Sequence, residues 1–315
     1  MQTINQRIEL LRQAMRREGI AAYLIPSADP HQSEYVAAHW KSREWLSGFT
    51  GSAGILVVTL DHAGLWTDSR YFLQAEKELF GTCVTLQKQV IPHAPEHVNW
   101  LVRNLPEGST LGLDGRLFSL GQLRYLAKNL HDKSIEINSS LDLVSGIWED
   151  RPALPAEQVF ELAPAYTGHS RAEKLARIRS AMAEKGAGAY LISTLDDIAW
   201  ILNIRAADVE YNPVCISYLV LDGKAAHWFV PGGKVGTDFH QTLLADGVIL
   251  HAYDAVEDWL RRSPKDQKIW VDTTTVSVRL FNTIPDGQAL QGDNLAAPMK
   301  ALKTDREVAQ LRRAM

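Results

Sequence analysis

The sequence predicts an α/β fold made of two tandem copies of one domain, each a mixed sheet flanked by helices. Three observations predict it. One pattern, at residues 7–25, recurs at residues 174–192, amphipathic helices alternate with short apolar runs, and hairpin signals occupy corresponding places in the two halves. A chain of 315 residues also has the length of about two ordinary domains.

The repeat is the strongest of these observations. Residues 7–25 and 174–192 align without a gap at an offset of 167 residues. Each copy has apolar residues at helical spacing, then a glycine of the type that ends helices, then an apolar run typical of a buried strand. The identical pairs are Arg12/Arg179, Ala14/Ala181, Met15/Met182, Gly19/Gly186, Ala22/Ala189, Tyr23/Tyr190, Leu24/Leu191 and Ile25/Ile192.

A weaker likeness continues beyond the repeat. The apolar run at residues 55–60 corresponds to the run at 218–221, and each is followed by a polar turn and a strand that contains a tryptophan, Trp66 or Trp228. Strand, Asp/Gly turn and strand together predict a hairpin. We therefore expect mixed sheets with helices on their faces.

The domain boundaries follow from composition. We place the first domain at residues 1–150, a linker at 151–168, the second domain at 169–300, and a last segment at 301–315. The linker contains Pro152, Pro155 and Pro164, which disfavour a continuous helix or a central strand.

The last segment has the signals of a new amphipathic helix. Thr304 and Glu307 have the spacing of a capping box, and Val308, Leu311 and Met315 form an apolar stripe that follows it. We interpret residues 301–315 as the first helix of a further domain. The alternative is a C-terminal helix that docks on the second domain.

Composition excludes several classes of function. The net charge is −4 and the pI about 6.2, which argues against nucleic acid or an anionic membrane as a partner. There is no apolar signal core and no run long enough to cross a bilayer, so a cytoplasmic location is expected. Two cysteines, Cys83 and Cys215, are too few for a disulfide scaffold, and we expect both to be free, buried thiols.

Several strings resemble the Xaa-Pro aminopeptidases, also called aminopeptidase P, of the creatinase/prolidase metallopeptidase family. They are IPSADPHQSEY (25–35), SGFTGSAG (47–54), WTDSRYFLQA (66–75), IWEDRP (147–152), LDDIAWILNIRAADVEYNPV (195–214) and KALKTDREVAQLRRAM (300–315). The likeness covers nearly the whole chain. Two creatinase N-terminal-like domains in tandem resemble the non-catalytic part of the cytosolic-type, three-domain form.

The resemblance implies an activity for the full-length form. Members remove the N-terminal residue that precedes proline, using two metal ions, usually manganese, held by two Asp, one His and two Glu. Those ligands lie beyond the KALK-type linker, which here is residues 300–303. None of them can be placed on this sequence, so we expect no metal in this chain and no peptidase activity from it alone. The resemblance also implies that full-length members bind peptides with proline at the second position and form homodimers. It does not determine the oligomeric state of the present 315 residues.

Candidate cleft residues occur in two loops of the first half. His31 and Glu34 follow a predicted buried strand and have the spacing of a metal-binding pair, although a structural loop or an edge of the substrate cleft is the favoured interpretation. Arg70 has the fork-shaped guanidinium that suits a substrate carboxylate, although a structural pair with Asp68 is favoured. We expect His93 and His97 to mark a surface loop and a helix start.

A third candidate loop lies in the second half. Asp208, Glu210 and Asn212 form a polar segment that is closed by Pro213. By resemblance to the three-domain form, this loop faces the catalytic cleft, where acidic groups would receive the free amine of a substrate. A turn of the Asx type before a strand explains the same residues without a functional role.

Three functions compete on these observations. The first is the scaffold and cleft-shaping region of a metallo-aminopeptidase. The second is a stand-alone, non-catalytic protein that uses the same fold for assembly or peptide binding. The third is a hydrolase that acts through its own His and Glu residues.

Overall fold

The computed structural model describes residues 2–91 and 94–315, so the prediction for His93 lies outside the described residues. The chain folds into two compact units. Unit 1 contains the residues up to Pro30 together with Ala38–Ala153, and unit 2 contains His31–Ala37 together with Leu154–Met315. Among the described residues, none of the helices has both the length and the apolarity needed to span a bilayer.

Unit 1 is a six-stranded mixed sheet with helices. The strand order is β4-β3-β2-β1-β5-β6, in which β1, β2 and β3 are antiparallel neighbours and the outer pairs are parallel. Its strands are β1 (Ala22–Pro26), β2 (Ile55–Thr59), β3 (Ala63–Thr67), β4 (Thr85–Lys88), β5 (Thr110–Leu113) and β6 (Glu136–Asn138). Its helices are α1 (Ile4–Arg17), α2 (Ser42–Ser47), α3 (Phe72–Glu78), α4 (Glu96–Asn104) and α5 (Leu120–Leu130).

Unit 2 repeats this arrangement. Its main sheet has the order β12-β11-β10-β8-β13-β14, with the same pattern of antiparallel and parallel neighbours. These strands are β8 (Ala189–Ile192), β10 (Tyr218–Asp222), β11 (Ala226–Val230), β12 (Val248–Ala252), β13 (Ile269–Val271) and β14 (Ala289–Gln291). The fold class predicted from the repeat is confirmed.

The remaining elements of unit 2 are one small sheet and eight helices in the part of the chain described. Strands β7 (Phe160–Glu161) and β9 (Ile204–Arg205) pair antiparallel. The helices are α6 (Pro164–Thr167), α7 (Arg171–Glu184), α8 (Leu195–Leu202), α9 (Thr237–Ala245), α10 (Val256–Arg261), α11 (Val278–Thr283), α12 (Ala297–Ala301) and α13 (Asp305–Ala314).

Local sequence explains how each repeat begins. Thr3 and Ser170 close capping boxes at the starts of α1 and α7, satisfying amides that a helix leaves unpaired. The apolar faces of α1 and α7 are buried. After each helix, Gly19 and Gly186 adopt φ values of +66° and +67°, a conformation that side chains with a Cβ rarely take.

Two side chains of the repeat make corresponding hydrogen bonds in the two units. Arg12 Nε donates to the Thr59 carbonyl at 3.0 Å, and Arg179 Nε donates to the Asp222 carbonyl at 2.8 Å, so both arginines hold the end of the adjacent strand. Tyr23 and Tyr190, buried in β1 and β8, both turn their hydroxyls towards later loops. The repeat therefore conserves side-chain interactions as well as topology.

The central tyrosines tie their strands to distant segments. Tyr23 Oη donates to the Leu141 carbonyl at 2.8 Å and accepts the Leu143 amide at 3.4 Å. Tyr190 Oη lies 3.2 Å from Asn294 Oδ1 and 3.3 Å from the Leu295 amide. Burial raises the pKa of both hydroxyls, which stay protonated and able to donate.

Within residues 151–168 the chain forms the two-residue strand β7 and the short helix α6, since its prolines permit a short strand and a helix with proline in its first turn. One expectation needs correction. Cys83 is exposed, and the prediction that it is buried was wrong. It lies in the turn between α3 and β4, where its amide donates to Asn5 Oδ1 while its side chain stays in solvent.

The last predicted helix is present. Thr304 and Glu307 form the capping box of α13. Helix α13 packs against α6 within unit 2. A Cβ on Gly168, at the end of α6, would lie only 2.1 Å from Thr304 Oγ1, so glycine is required for this close approach.

We expect Tyr23→Phe and Tyr190→Phe each to lower the free energy of unfolding by about 1–2 kcal/mol, because each removes the hydrogen bonds that tie a buried strand to a later loop. Urea unfolding followed by circular dichroism measures this loss. Tyr125→Phe is the control, since Tyr125 is 45% exposed on α5. Losses no larger than that of the control would contradict the assigned role of the two hydroxyls.

Candidate functional site

The predicted loop of Asp208, Glu210 and Asn212 connects β9 to β10 in unit 2. Asp208 lies at its base, fully buried, and both carboxylate oxygens contact Lys234 Nζ, which is also fully buried. Asp208 Oδ2 also accepts the Ile216 amide at 2.6 Å. The Asp208 carboxylate is thus committed to a buried ion pair that anchors the loop.

The tip of this loop is a tight turn. The Asn212 amide donates to the Val209 carbonyl at 3.1 Å, which closes the turn through backbone atoms. Tyr211 lies at its apex with a φ of +62° and a side chain that is 97% exposed. A hydrogen bond with Glu210 raises the pKa of the Tyr211 hydroxyl. A non-glycine residue in this conformation is strained, so the anchored base holds a strained, projecting tip.

His31 lies in a buried aromatic cluster of unit 2. Its Nδ1 donates to the Ser193 carbonyl at 2.9 Å, and its Nε2 lies 2.9 Å from Tyr253 Oη. The Tyr218 ring lies 4.4 Å from the imidazole, between ring centroids. Glu34 is exposed and is not part of this cluster. Because both ring nitrogens already have partners, the favoured structural interpretation fits His31 better than the metal pair.

Arg70 belongs to unit 1, in a single 3-10 turn (Ser69–Tyr71) that directly precedes α3. Its Nε and Nη2 donate to the two carboxylate oxygens of Asp68 at 2.9 and 2.8 Å. The Arg70 side chain is 68% exposed. The guanidinium thus makes the fork-like structural pair that the sequence favoured, at a solvent-exposed position.

Each candidate contacts different neighbours within its own unit: Asp208 pairs with Lys234, His31 with Ser193 and Tyr253, and Arg70 with Asp68. Across residues 2–91 and 94–315, no group of three or more His, Cys, Asp or Glu side chains is placed to hold a metal ion. Nor does Cys215 provide a nucleophile, since burial raises the pKa of its thiol to about 12.

Sequence reasoning missed a polar chain on unit 2. His227 on β11 and His251 on β12 lie 3.0 Å apart, between Nδ1 of the first and Nε2 of the second. His227 Nε2 lies 3.2 Å from Asp222 Oδ2. These side chains border a pocket of about 630 Å³ that is also lined by Trp259. The parallel pairing of β11 with β12 sets His227 opposite Ile249 and His251 opposite Phe229, so the histidines meet diagonally and no sequence pattern predicted their contact.

The Asp222 carboxylate determines which nitrogens of His227 and His251 carry protons. Burial acts to raise the pKa of Asp222, but hydrogen bonds from the Ala225 and Lys224 amides and from His227 outweigh it and bring the pKa below its usual value. The carboxylate is therefore ionised and only accepts, so His227 Nε2 carries a proton. In neutral His227 the Nδ1 atom therefore accepts, and His251 Nε2 donates to it. If both imidazoles were doubly protonated, neither of the two facing nitrogens could accept, and the hydrogen bond between His227 and His251 would be lost.

Burial and the neighbouring His227 lower the pKa of His251. The folded form then binds a proton less readily than the unfolded chain, whose histidines titrate near about 6.5. The stability that this histidine contributes is thus present above that pH and is lost as the pH falls. We expect urea unfolding to show a steeper loss between about pH 7.5 and pH 5 in the wild type than in His251→Gln. Identical pH dependence in the two proteins would contradict this assignment.

For the ion pair, we expect Asp208→Asn to lower the free energy of unfolding by about 3–5 kcal/mol, because Lys234 is left buried without a countercharge. The double variant Asp208→Asn, Lys234→Met should lose less than Asp208→Asn. Asp68→Asn, at the exposed pair with Arg70, is the matched control and should cost no more than about 1 kcal/mol. Urea unfolding measures all three, and a loss at Asp208 as small as the control would refute the buried pair.

Comparisons with known proteins identify the fold. Models of the creatinase/prolidase N-terminal domain match residues 7–144 and residues 150–307, one in each half of the chain. The chain belongs to the creatinase/prolidase N-terminal domain family. Family membership accounts for the repeat, since a model of this domain describes each unit.

The similar relatives are Xaa-Pro aminopeptidases. The chain is 37% identical over 99% of its length to Xaa-Pro aminopeptidase 1 of Dictyostelium discoideum, and 36% identical over 92% of its length to Xaa-Pro aminopeptidase ApepP of Drosophila melanogaster. It spans 51% and 48% of those two proteins. The chain thus corresponds to about half the length of these curated relatives.

A solved structure matches both units of this family member. X-prolyl aminopeptidase from Caenorhabditis elegans, described as a cytosolic enzyme with a di-nuclear active site, superposes with a TM-score of 0.93 at 31% identity. The match covers 99% of this chain and 54% of the solved one. The resemblance stated from the sequence motifs is confirmed at the level of the family.

Proposed function

We propose that this chain is the non-catalytic N-terminal region of an Xaa-Pro aminopeptidase, whose full-length form removes the N-terminal residue preceding proline. One observation carries the proposal. Nearly the whole chain superposes on an X-prolyl aminopeptidase, yet it accounts for 54% of that protein. The relatives support the same interpretation, because the chain matches about half of each.

The resemblance implies a pair of manganese ions, and the described residues do not fit that pair. No group of three His, Cys, Asp or Glu side chains is placed for a metal in this part of the chain, and two metals with five ligands need larger groups. The Asp208 carboxylate is bound to Lys234, and the His31 imidazole to Ser193 and Tyr253. We infer that the metal ligands belong to residues outside this sequence.

The role left to units 1 and 2 is scaffold and control of access. The anchored loop of unit 2 suits it, because the buried Asp208–Lys234 pair fixes the base while Glu210 and Tyr211 project into solvent. Glu210 and Asn212 remain candidates for contact with the free amine of a substrate. Asp208 is withdrawn from direct substrate contact, since its charge is neutralised within the unit.

The wider setting follows from the same proposal. Peptides with proline at the second position would be the substrates of the full-length protein, which we expect to form a homodimer. A cytoplasmic location is supported by the Caenorhabditis elegans neighbour, which is described as cytosolic.

Activity assays separate this function from its rivals. The purified 315-residue chain is incubated with a peptide carrying proline at its second position and with added manganese, and release of the first residue is measured. We expect no turnover, and we expect turnover from the protein expressed with any coding sequence that follows Met315. Robust turnover by the 315-residue chain would favour a hydrolase acting through its own residues. A coding sequence that ends at Met315 would favour the stand-alone binding protein.

The active, longer protein allows a second measurement. If Glu210 receives the amine of the substrate, Glu210→Gln raises KM more than it lowers kcat. Glu184→Gln is a matched control, because Glu184 is also an exposed carboxylate of unit 2 and lies at the end of α7, outside the candidate loops.

A further inference from the structure

Unit 2 contains a pocket that the peptidase proposal does not use. It lies among α6, α7, α8, β9 and α13 and has a volume of about 420 Å³. That volume falls within the range of about 300–1,000 Å³ typical of small-molecule sites. Its lining combines three cationic side chains with several apolar and aromatic ones.

Lys174 is the central polar group of the pocket. Its side chain is fully buried, and Nζ donates to the Trp200 carbonyl at 2.9 Å and to Asn203 Oδ1 at 2.5 Å. The same Nζ lies 4.4 Å from the centroid of the Trp200 ring. An ammonium group has three donors, so one remains after these two bonds. The oxygens that it meets are neutral, and none of the ion pairs among the described residues includes it.

Two further cations line the pocket without a carboxylate partner in the described part of the chain. Arg205 Nη1 donates to the carbonyls of Ile204 and Ala199, at 2.7 and 3.2 Å. Lys303 Nζ donates to the Lys300 carbonyl at 2.7 Å. The pocket also contains Glu307, whose Oε2 accepts from the amide and hydroxyl of Thr304. Three cations therefore face one carboxylate that is already engaged at the start of α13.

Apolar and aromatic side chains form much of the remaining lining. They are Leu162, Tyr166, Trp200, Leu311 and Ala314, and the Trp200 ring lies directly beside the Lys174 ammonium. A buried cation beside an aromatic and aliphatic wall is complementary to an anion carried on an apolar body. A carboxylate suits a guanidinium and an ammonium, because it accepts charge-assisted hydrogen bonds from both.

We propose that this pocket binds an organic monocarboxylate with an apolar or aromatic body. The carboxylate lies against Lys174 and Arg205, and the body lies against Trp200 and Leu311. The carboxylate comes either from a free organic acid or from the C-terminus of a peptide. This site uses residues of unit 2 alone, including those of α13, and its ligand binding does not require peptidase activity.

Titration of the lysine supports the geometry. Burial lowers the pKa of Lys174 to about 8, although the charge of Glu307 opposes the shift. The protonated form binds an anion, so affinity should fall as the pH rises above about 8 while the ligand carboxylate stays ionised. A bound anion should in turn raise this pKa.

Isothermal titration calorimetry of the 315-residue chain tests the proposal with 4-phenylbutyrate. We expect a Kd of about 1 mM or tighter, as is reasonable for a dozen non-hydrogen atoms. The uncharged 4-phenylbutanol and the cationic 4-phenylbutylamine should bind at least about tenfold more weakly. N-acetyl-alanyl-phenylalanine, compared with its C-terminal amide, shows whether a peptide C-terminus is accepted as well as a free acid.

Matched variants locate the site. Lys174→Met keeps the length of the side chain but removes its donors, and should weaken 4-phenylbutyrate binding at least about tenfold. Arg205→Met should also weaken it. Lys185→Met, an exposed position at the end of α7, should leave it unchanged. If Lys174→Met does not fold by circular dichroism, Leu311→Trp fills the pocket without altering the lysine and should abolish binding.

Three results would overturn the proposal. Equal affinities for the acid and the alcohol would show an apolar cavity with no anion preference. Unchanged binding in folded Lys174→Met would place the carboxylate elsewhere. No binding of any probe would leave Lys174 with the sole role of capping the end of α8.

Discussion

Both units depend on a central strand that is buried along its length and paired on both sides. In β1 and β8, four consecutive residues are buried. Each strand is antiparallel to one neighbour and parallel to the other. A strand in that position must be apolar, and the tyrosine hydroxyl is its one polar side-chain group in each copy, which therefore needs partners within the protein. The helix before the strand and the loops after it are arranged around this requirement.

Most of this architecture is predictable from the residues. The helix, glycine and strand of each repeat follow from periodicity and from the conformation that Gly19 and Gly186 adopt. The antiparallel pairs within each mixed sheet follow from the hairpin predicted in each half of the sequence. The pairing of β7 with β9 was not predictable, because two residues of a proline-containing segment carry no periodicity. The exposure of Cys83 was also missed, since a cysteine is buried so often that composition favours the wrong answer.

The functional residues were less accessible to sequence reasoning than the fold. The sequence grouped Asp208, Glu210 and Asn212 correctly as one loop, but only the position of Lys234, 26 residues later, separates a structural carboxylate from an exposed one. The same limit applies to the histidine chain and to Lys174. Each depends on partners from separate elements, and the charge of a side chain says nothing about which distant group will neutralise it. The buried polar groups of unit 2 thus find different kinds of partner. Asp208 and Lys234 form an ion pair, His227 and His251 share a hydrogen bond, and Lys174 donates to neutral oxygens.

The segment His31–Ala37 has a consequence for the order in which the protein is made. It belongs to unit 2, although it precedes most of unit 1 in the sequence. The partner of His31 at Tyr253 is 222 residues further along the chain. During synthesis from the N-terminus, this imidazole therefore lacks its Tyr253 partner until the ribosome has passed residue 253. Because closing so long a loop costs chain entropy, we expect the aromatic cluster around His31 to form late in folding.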